Sequence, residues 1–238
     1  MRAQGASDPL ARAKYATSGL CATELEVDTQ VLLLRQLYLS YLEQRRYHDA
    51  RAIAHQMLEL RVLPEVAHQD AARADFALGD VQSALDHLRL ASRACSPGRR
   101  SFHLWCLGSS LYALGCHSEA ATVLERALCW TTRDRELLGA LLALTRHALG
   151  APTDLRGAYQ RLCRAPVQPG VVDWVGGELL LELGERDLAL ALLRSFVQRN
   201  SDPVLAAGLR AEVSRAERLI SRIEETCASP ETIGPAES

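Results

Sequence analysis

Lysine is almost missing from this sequence: of 27 basic side chains only Lys14 is not an arginine. Asparagine occurs once, at Asn200, while Leu, Ala and Arg abound, a bias expected of GC-rich coding and so of a bacterium with such a genome. Charge of one sign is missing as well. The basic residues face 29 acidic ones, the formal charge is -2, and the signs are interspersed, which excludes the basic stripe of a nucleic-acid or anionic-membrane surface. No stretch approaches the ~20 apolar residues that span a bilayer. The first twenty residues are broken by Arg2, Asp8, Pro9, Arg12 and Lys14, so no export signal is read there. Leu20-Cys21 has the look of a lipoprotein junction, but the bulky leucine and the missing apolar run before it argue against lipidation. The expected location is the cytoplasm.

Signatures of chemistry are missing too. The seven cysteines include no CxxC pair and are odd in number, which fits neither a zinc cluster nor a disulfide framework and predicts reduced, mostly buried thiols. There is no Gly-rich phosphate loop, no HExxH helix and no GxSxG elbow. His48 and His55 have no third ligand at metal spacing. In Cys116-His117-Ser118-Glu119 the neighbours would point about a hundred degrees apart on a helix. The sequence therefore predicts no catalytic residue, no metal site and no cofactor. Catalysis would gain ground if a cleft gathered Cys106, His103 and an acidic residue from elsewhere.

What is present is a period. Leu-Gly pairs recur at Leu78-Gly79, Leu114-Gly115, Leu149-Gly150 and Leu183-Gly184, the glycines stepping by 36, 35 and 34 residues. Five positions after each glycine comes a small or aliphatic residue: Ala84, Ala120, Leu155 and Ala189, with Ala50 continuing the series backwards. Further apolar positions follow at helical spacing: Ala54, Leu88, Leu124, Tyr159 and Leu193, then Met57, Ala91, Ala127, Leu162 and Phe196. A glycine suits the left-handed residue that ends a helix. A small residue after it allows two helix axes to approach, and the apolar row makes a buried stripe. Each unit is thus read as two antiparallel helices, with Pro64, Pro97, Pro169 and Pro203 falling where second helices should stop. Unit one carries Arg45 in the glycine position, which predicts looser packing there.

These phases resemble the tetratricopeptide repeat, whose 34-residue pattern places Leu-Gly, Ala and Phe at related offsets. The third unit is most similar, through Leu104, Leu107-Gly108, Leu111, Gly115, Ala120, Leu124 and Ala127. The resemblance implies an all-α fold, a right-handed superhelical solenoid of antiparallel helix pairs. Five units are expected, at about 31–64, 65–100, 101–135, 136–169 and 170–203. An N-terminal extension over 1–30 would hold a short helix from Asp8-Pro9 to Tyr15, followed by a Ser/Gly/Thr linker. A capping helix over 204–228 would bury Leu205, Leu209, Val213, Ala216, Ile220 and Ile223 and expose Arg210, Arg215, Arg218, Arg222 and Glu225. Residues 229–238 are expected to be disordered.

In the resembling family the first helix of each unit lines a concave groove, and this implies a candidate partner-binding set. Its members are Arg35, Leu39, Arg73, Phe76, Phe102, Trp105, Tyr112, His147, Trp174 and Glu178. Aromatics are only 5% of the chain, so their gathering on one predicted face points to anchors for a peptide or helix. Trp105 and Trp174 share a phase and stand either as exposed anchors or packed between repeats or under the terminal helix. Chaperone-tail recognition is not expected, because the Lys and Asn clamp of that branch is replaced by Arg35, Leu39, Asp70, Phe102 and Cys106. The expected function is non-enzymatic: an adaptor or scaffold that binds another protein or peptide. A cytosolic chaperone of a secreted or assembling hydrophobic client and a self-associating homo-oligomeric scaffold are the alternatives.

Overall fold

The computed structural model describes residues 8–22, 24–131, 134–165 and 170–228. Among these residues there are thirteen helices and no strand. In chain order they are α1 (Pro9–Leu20), α2 (Val27–Glu43), α3 (Tyr47–Glu59), α4 (Pro64–Leu78), α5 (Val81–Ala94), α6 (Pro97–Ala113) and α7 (His117–Leu128). They continue with α8 (Arg135–Ala148), α9 (Leu155–Arg164), α10 (Val171–Glu182), α11 (Arg186–Arg199), α12 (Pro203–Gly208) and α13 (Arg210–Ala228). Each helix from α1 to α11 packs on its neighbour in sequence, so the chain is all-α and built of paired helices. The tail over 229–238 and Pro169 lie outside the described residues.

The period sets the turns. Gly79, Gly115, Gly150 and Gly184 all take left-handed backbone, with φ between 78° and 84°. Arg45 takes the same conformation at φ 58°. The turn geometry is kept in unit one, and the side chain bears the strain that the glycines avoid. Beyond each turn the expected stripe is buried except at Tyr159 of α9, which is half-buried: Ala50, Ala84, Ala120 and Ala189 are fully inaccessible, as are Leu124, Leu193 and Phe196. Small residues on the first helices match this. A Cβ on Gly108 would lie 2.7 Å from Leu124, and one on Gly177 would lie 2.9 Å from Leu193, so the paired axes in units three and five are close enough to need glycine.

Several boundaries differ from the sequence reading. Pro64 and Pro97 occupy the first turns of α4 and α6, opening helices rather than closing the preceding ones, and Pro203 opens α12 behind its Asp202 cap, as that pair implies in the sequence. The ring's fixed φ suits that position, where the missing N–H would have no partner. The N-terminal helix runs on to Leu20, absorbing the expected linker, because Gly19, where a Cβ would stand 3.0 Å from Leu33, lets α1 approach α2, and Ala16 is buried in the cluster with Leu34 and Leu37. Asp8 caps it by accepting from the N–H groups of Leu10 and Ala11. The expected cap over 204–228 is two helices, broken at Leu209.

The largest difference lies in where the terminal segment goes. After α11 the chain reaches back, so that α12 packs on α2 and α4 at the far end of the stack. Helix α13 then returns across α4 and α6 to lie along α11. Ala207 joins the core cluster of α1 to α4, while Ala211, Val213, Ala216, Leu219 and Ile223 join the larger cluster of the later units. Leu205, expected to be buried, is 52% exposed.

The cysteines also depart from expectation. Cys21, Cys116, Cys129 and Cys163 are exposed, Cys95 is buried and Cys106 is half-buried, so most of the six described thiols face solvent. They sit at helix ends and on outward faces that the apolar stripe does not claim.

Candidate functional site

The face shared by the first helices is where α12 and α13 sit. Their neighbours besides α11 are α2, α4, α6 and, through Arg215, α10. The residues expected to line a groove therefore line an interface within the chain. Tyr112 of α6, Glu178 of α10 and Arg215 of α13 form a buried triad. Arg215 donates from Nε to Glu178 Oε1 at 2.8 Å and from Nη2 to Oε2 at 2.7 Å. Tyr112 donates to Glu178 Oε2 at 2.6 Å, and the guanidinium lies 4.5 Å from the Tyr112 ring centre. Burial, then the neighbouring Glu178, holds the Tyr112 phenol well above its ordinary value. Burial alone would lower the Arg215 guanidinium, but the Glu178 bonds outweigh it and leave a net upward shift.

One turn before Arg215, Glu212 is fully enclosed. It accepts from Ser109 at 2.7 Å and from Ser110 at 3.3 Å, both through Oε1, while Oε2 has no partner among the described residues. Burial pushes its carboxyl above the usual range, against the pull of the two hydroxyls. A small cavity of about 20 Å³, room for about one water, separates α4 and α6 from α12 and α13. Arg73, Phe76, Trp105, Cys106, Gly208 and Glu212 are among its lining residues. The Arg73 Nε also lacks a partner there. At the α2 end, Asp70 is buried, 3.4 Å from Arg73 and 3.7 Å from Arg35, and Tyr38 donates to its carbonyl at 2.7 Å. Burial raises the Asp70 carboxyl, with the two guanidinium groups opposing.

Of the candidate set, Arg73, Phe76, Trp105, Tyr112 and Glu178 are thus gathered around α12 and α13. Arg35 joins through Asp70 and remains exposed on α2. Leu39 is half-buried against the N-terminal cluster. Trp174 is fully buried, stacked on Phe196 with ring centres 6.2 Å apart and 5.9 Å from Tyr112. His147 is exposed at the end of α8, 3.4 Å from Glu182. Among the aromatics expected to stand open, only Phe102 does, at 49% exposed. Phe76 and Tyr112 are buried and Trp105 half-buried, because the chain's own terminal helices cover that face.

Glu212 and Arg215 escaped the sequence reading, which placed Arg215 on the outer side of the terminal helix. A signal was present. Ala211, Arg215, Leu219 and Ile223 step by four residues, so Arg215 lies within the row that is otherwise apolar and inward.

Cys106 and the acidic Glu212 do meet at the small cavity, as a catalytic reading would require, but the environment disfavours a nucleophile. Burial pushes the Cys106 thiol up to about 12, leaving it protonated near neutral pH. His103 turns instead to Gln69, 3.3 Å away.

These features define a class: an all-helical stack of paired helices whose first-helix face holds an amphipathic helix. No family model matches the chain, and no curated protein matches it. Among the described residues no helix is long and apolar enough to cross a membrane.

Proposed function

We propose that this chain is a non-enzymatic protein–protein interaction module, an adaptor or scaffold of the tetratricopeptide type. In this reading the units follow a right-handed superhelical path in the cytoplasm, and their first-helix side binds a helix or peptide of a partner protein. The observation that carries it is the seat of α13. A face built from α4, α6 and α10 already holds an amphipathic helix through an apolar row and a charged pair, the means by which helix-in-groove recognition works elsewhere. Burial in the interface accounts for the acidic and hydroxyl side chains there without assigning them chemistry.

The test is affinity purification of the intact chain from its native host, followed by cross-linking of the partner. Cross-links should fall on α2, α4 and α6, and Phe102→Ala and Arg35→Glu, exposed positions on first helices, should each weaken the complex about 10-fold. Cross-links confined to the second helices α3, α5 and α7 would reject this reading.

A further inference from the structure

We infer that α12 and α13 form an exchangeable latch, and that the partner is an amphipathic helix carrying a carboxylate and an arginine one turn apart among small and aliphatic residues. This rests on the proposed binding role and deepens it, since the seated segment is itself the template of what the face accepts.

Three observations carry it. The first is polarity at the centre of the contact: Glu212 and Arg215 of α13 meet Ser109, Ser110, Tyr112 and Glu178. A seam meant only to hold the fold would gain as much from apolar residues of the same volume, whereas charged groups in fixed positions select one register and one partner. The second is imperfection. Glu212 Oε2 and Arg73 Nε are enclosed without partners beside the small cavity, and each such group weakens the closed state. The third is connectivity. Only Asn200–Asp202 join α11 to α12, Leu209 breaks the two terminal helices, and the Arg73 side chain closes over Gly208. The segment can therefore leave as a unit, exposing Phe76, Trp105 and Cys106 to an incoming helix.

Cys106 reports the opening because α12 and α13 cover it, and Cys95 is the control because it is buried at the end of α5, bonded to the Ser92 carbonyl. Alkylation of the full chain is followed by mass spectrometry of the peptides carrying each thiol. In Arg215→Ala, Cys106 should react at least about 10-fold faster than in the parent while Cys95 stays protected. In Glu212→Gln, which removes an enclosed charge, Cys106 should react several-fold more slowly. A synthetic peptide spanning residues 203–226 should bind Arg215→Ala more tightly than the parent, by the same factor as the gain in opening. The same peptide carrying Glu212→Arg and Arg215→Glu should not bind.

If Cys106 and Cys95 react together in Arg215→Ala and the Glu212→Gln rate is unchanged, the latch is rejected and the binding role stands or falls by its own cross-links. If Cys106 opens alone but no peptide binds, the latch is not the template of the partner and that assignment is lost, while the binding role again rests on its cross-links. If the opened chain instead forms a dimer by light scattering, the occupant is a second copy, and the assignment to a partner helix is wrong.

Discussion

Arg215 and Glu178 lie 37 residues apart in sequence and meet through three N–H···O bonds, of 2.8 and 2.9 Å from Nε and 2.7 Å from Nη2, joining the terminal helix to the first helix of the fifth unit. The carboxylate is nearly enclosed, with 4% of the Glu178 side chain accessible, and the Arg215 side chain is half-buried at 23%. Removing one partner leaves the other desolvated. Arg215→Ala and Glu178→Gln should each destabilise the chain, by about 3 kcal/mol for the arginine change. Replacing both by methionine should restore most of that loss. Urea unfolding of the two single variants and the double variant checks this, and a double variant no more stable than the single ones would show that the pair is not coupled.

The repeat turns give a second expectation. Gly115 stands at φ 82° with open space around its Cα, so Gly115→Ala meets backbone strain alone and should cost about 1 kcal/mol. Arg45 already carries that strain at φ 58°. Arg45→Gly should then be neutral or slightly stabilising, since relief of the left-handed strain is partly offset by the freer unfolded chain. Thermal melts of the two variants should move in opposite directions or leave Arg45→Gly unmoved.

Histidines make the fold sensitive to acid. His68 and His87 approach within 2.9 Å through their Nδ1 atoms, His55 packs edge-on to His87, and Asp75, Asp86 and Arg51 complete the surroundings. Burial lowers the His68, His87, His103 and His117 imidazoles below their ordinary value. The unfolded chain therefore binds protons first as pH drops. Stability from these groups is whole above about pH 6.5 and is lost as pH falls through the lowered folded values. The urea midpoint should drop between about pH 7.5 and about pH 5, and His87→Gln should flatten that drop. A midpoint unchanged over this range in the parent chain would refute it.

Phe102 and Trp174 separate surface from core. Phe102→Ala removes a half-exposed ring and should leave the melting temperature almost unchanged while weakening partner binding. Trp174→Ala empties a fully buried site packed on Tyr112 and Phe196, and should cost about 3–5 kcal/mol or abolish folding. Circular dichroism melts of the two variants distinguish them directly.

The period of the sequence determined the pairing of helices. Left-handed turns at Gly79, Gly115, Gly150 and Gly184, and the buried alanines that follow, are local requirements that each unit repeats. They were legible because a turn needs its glycine and a close crossing needs its small residue whatever surrounds them. The phase of the first helices was legible for the same reason, and it brought Arg73, Phe76, Trp105, Tyr112 and Glu178 to one face. What covers that face stayed open between an outside partner and the terminal helix. The path of α12 and α13 depends on how each pair of helices packs on the next, the sum of the angles at every interface, which no local pattern encodes. The four-residue row of Ala211, Leu219 and Ile223 carries Arg215 inward, but tertiary structure alone gave it Glu178 as partner, enclosed Glu212 between two serines and left Phe102 open. A side chain's exposure is decided by whichever distant segment comes to lie against it.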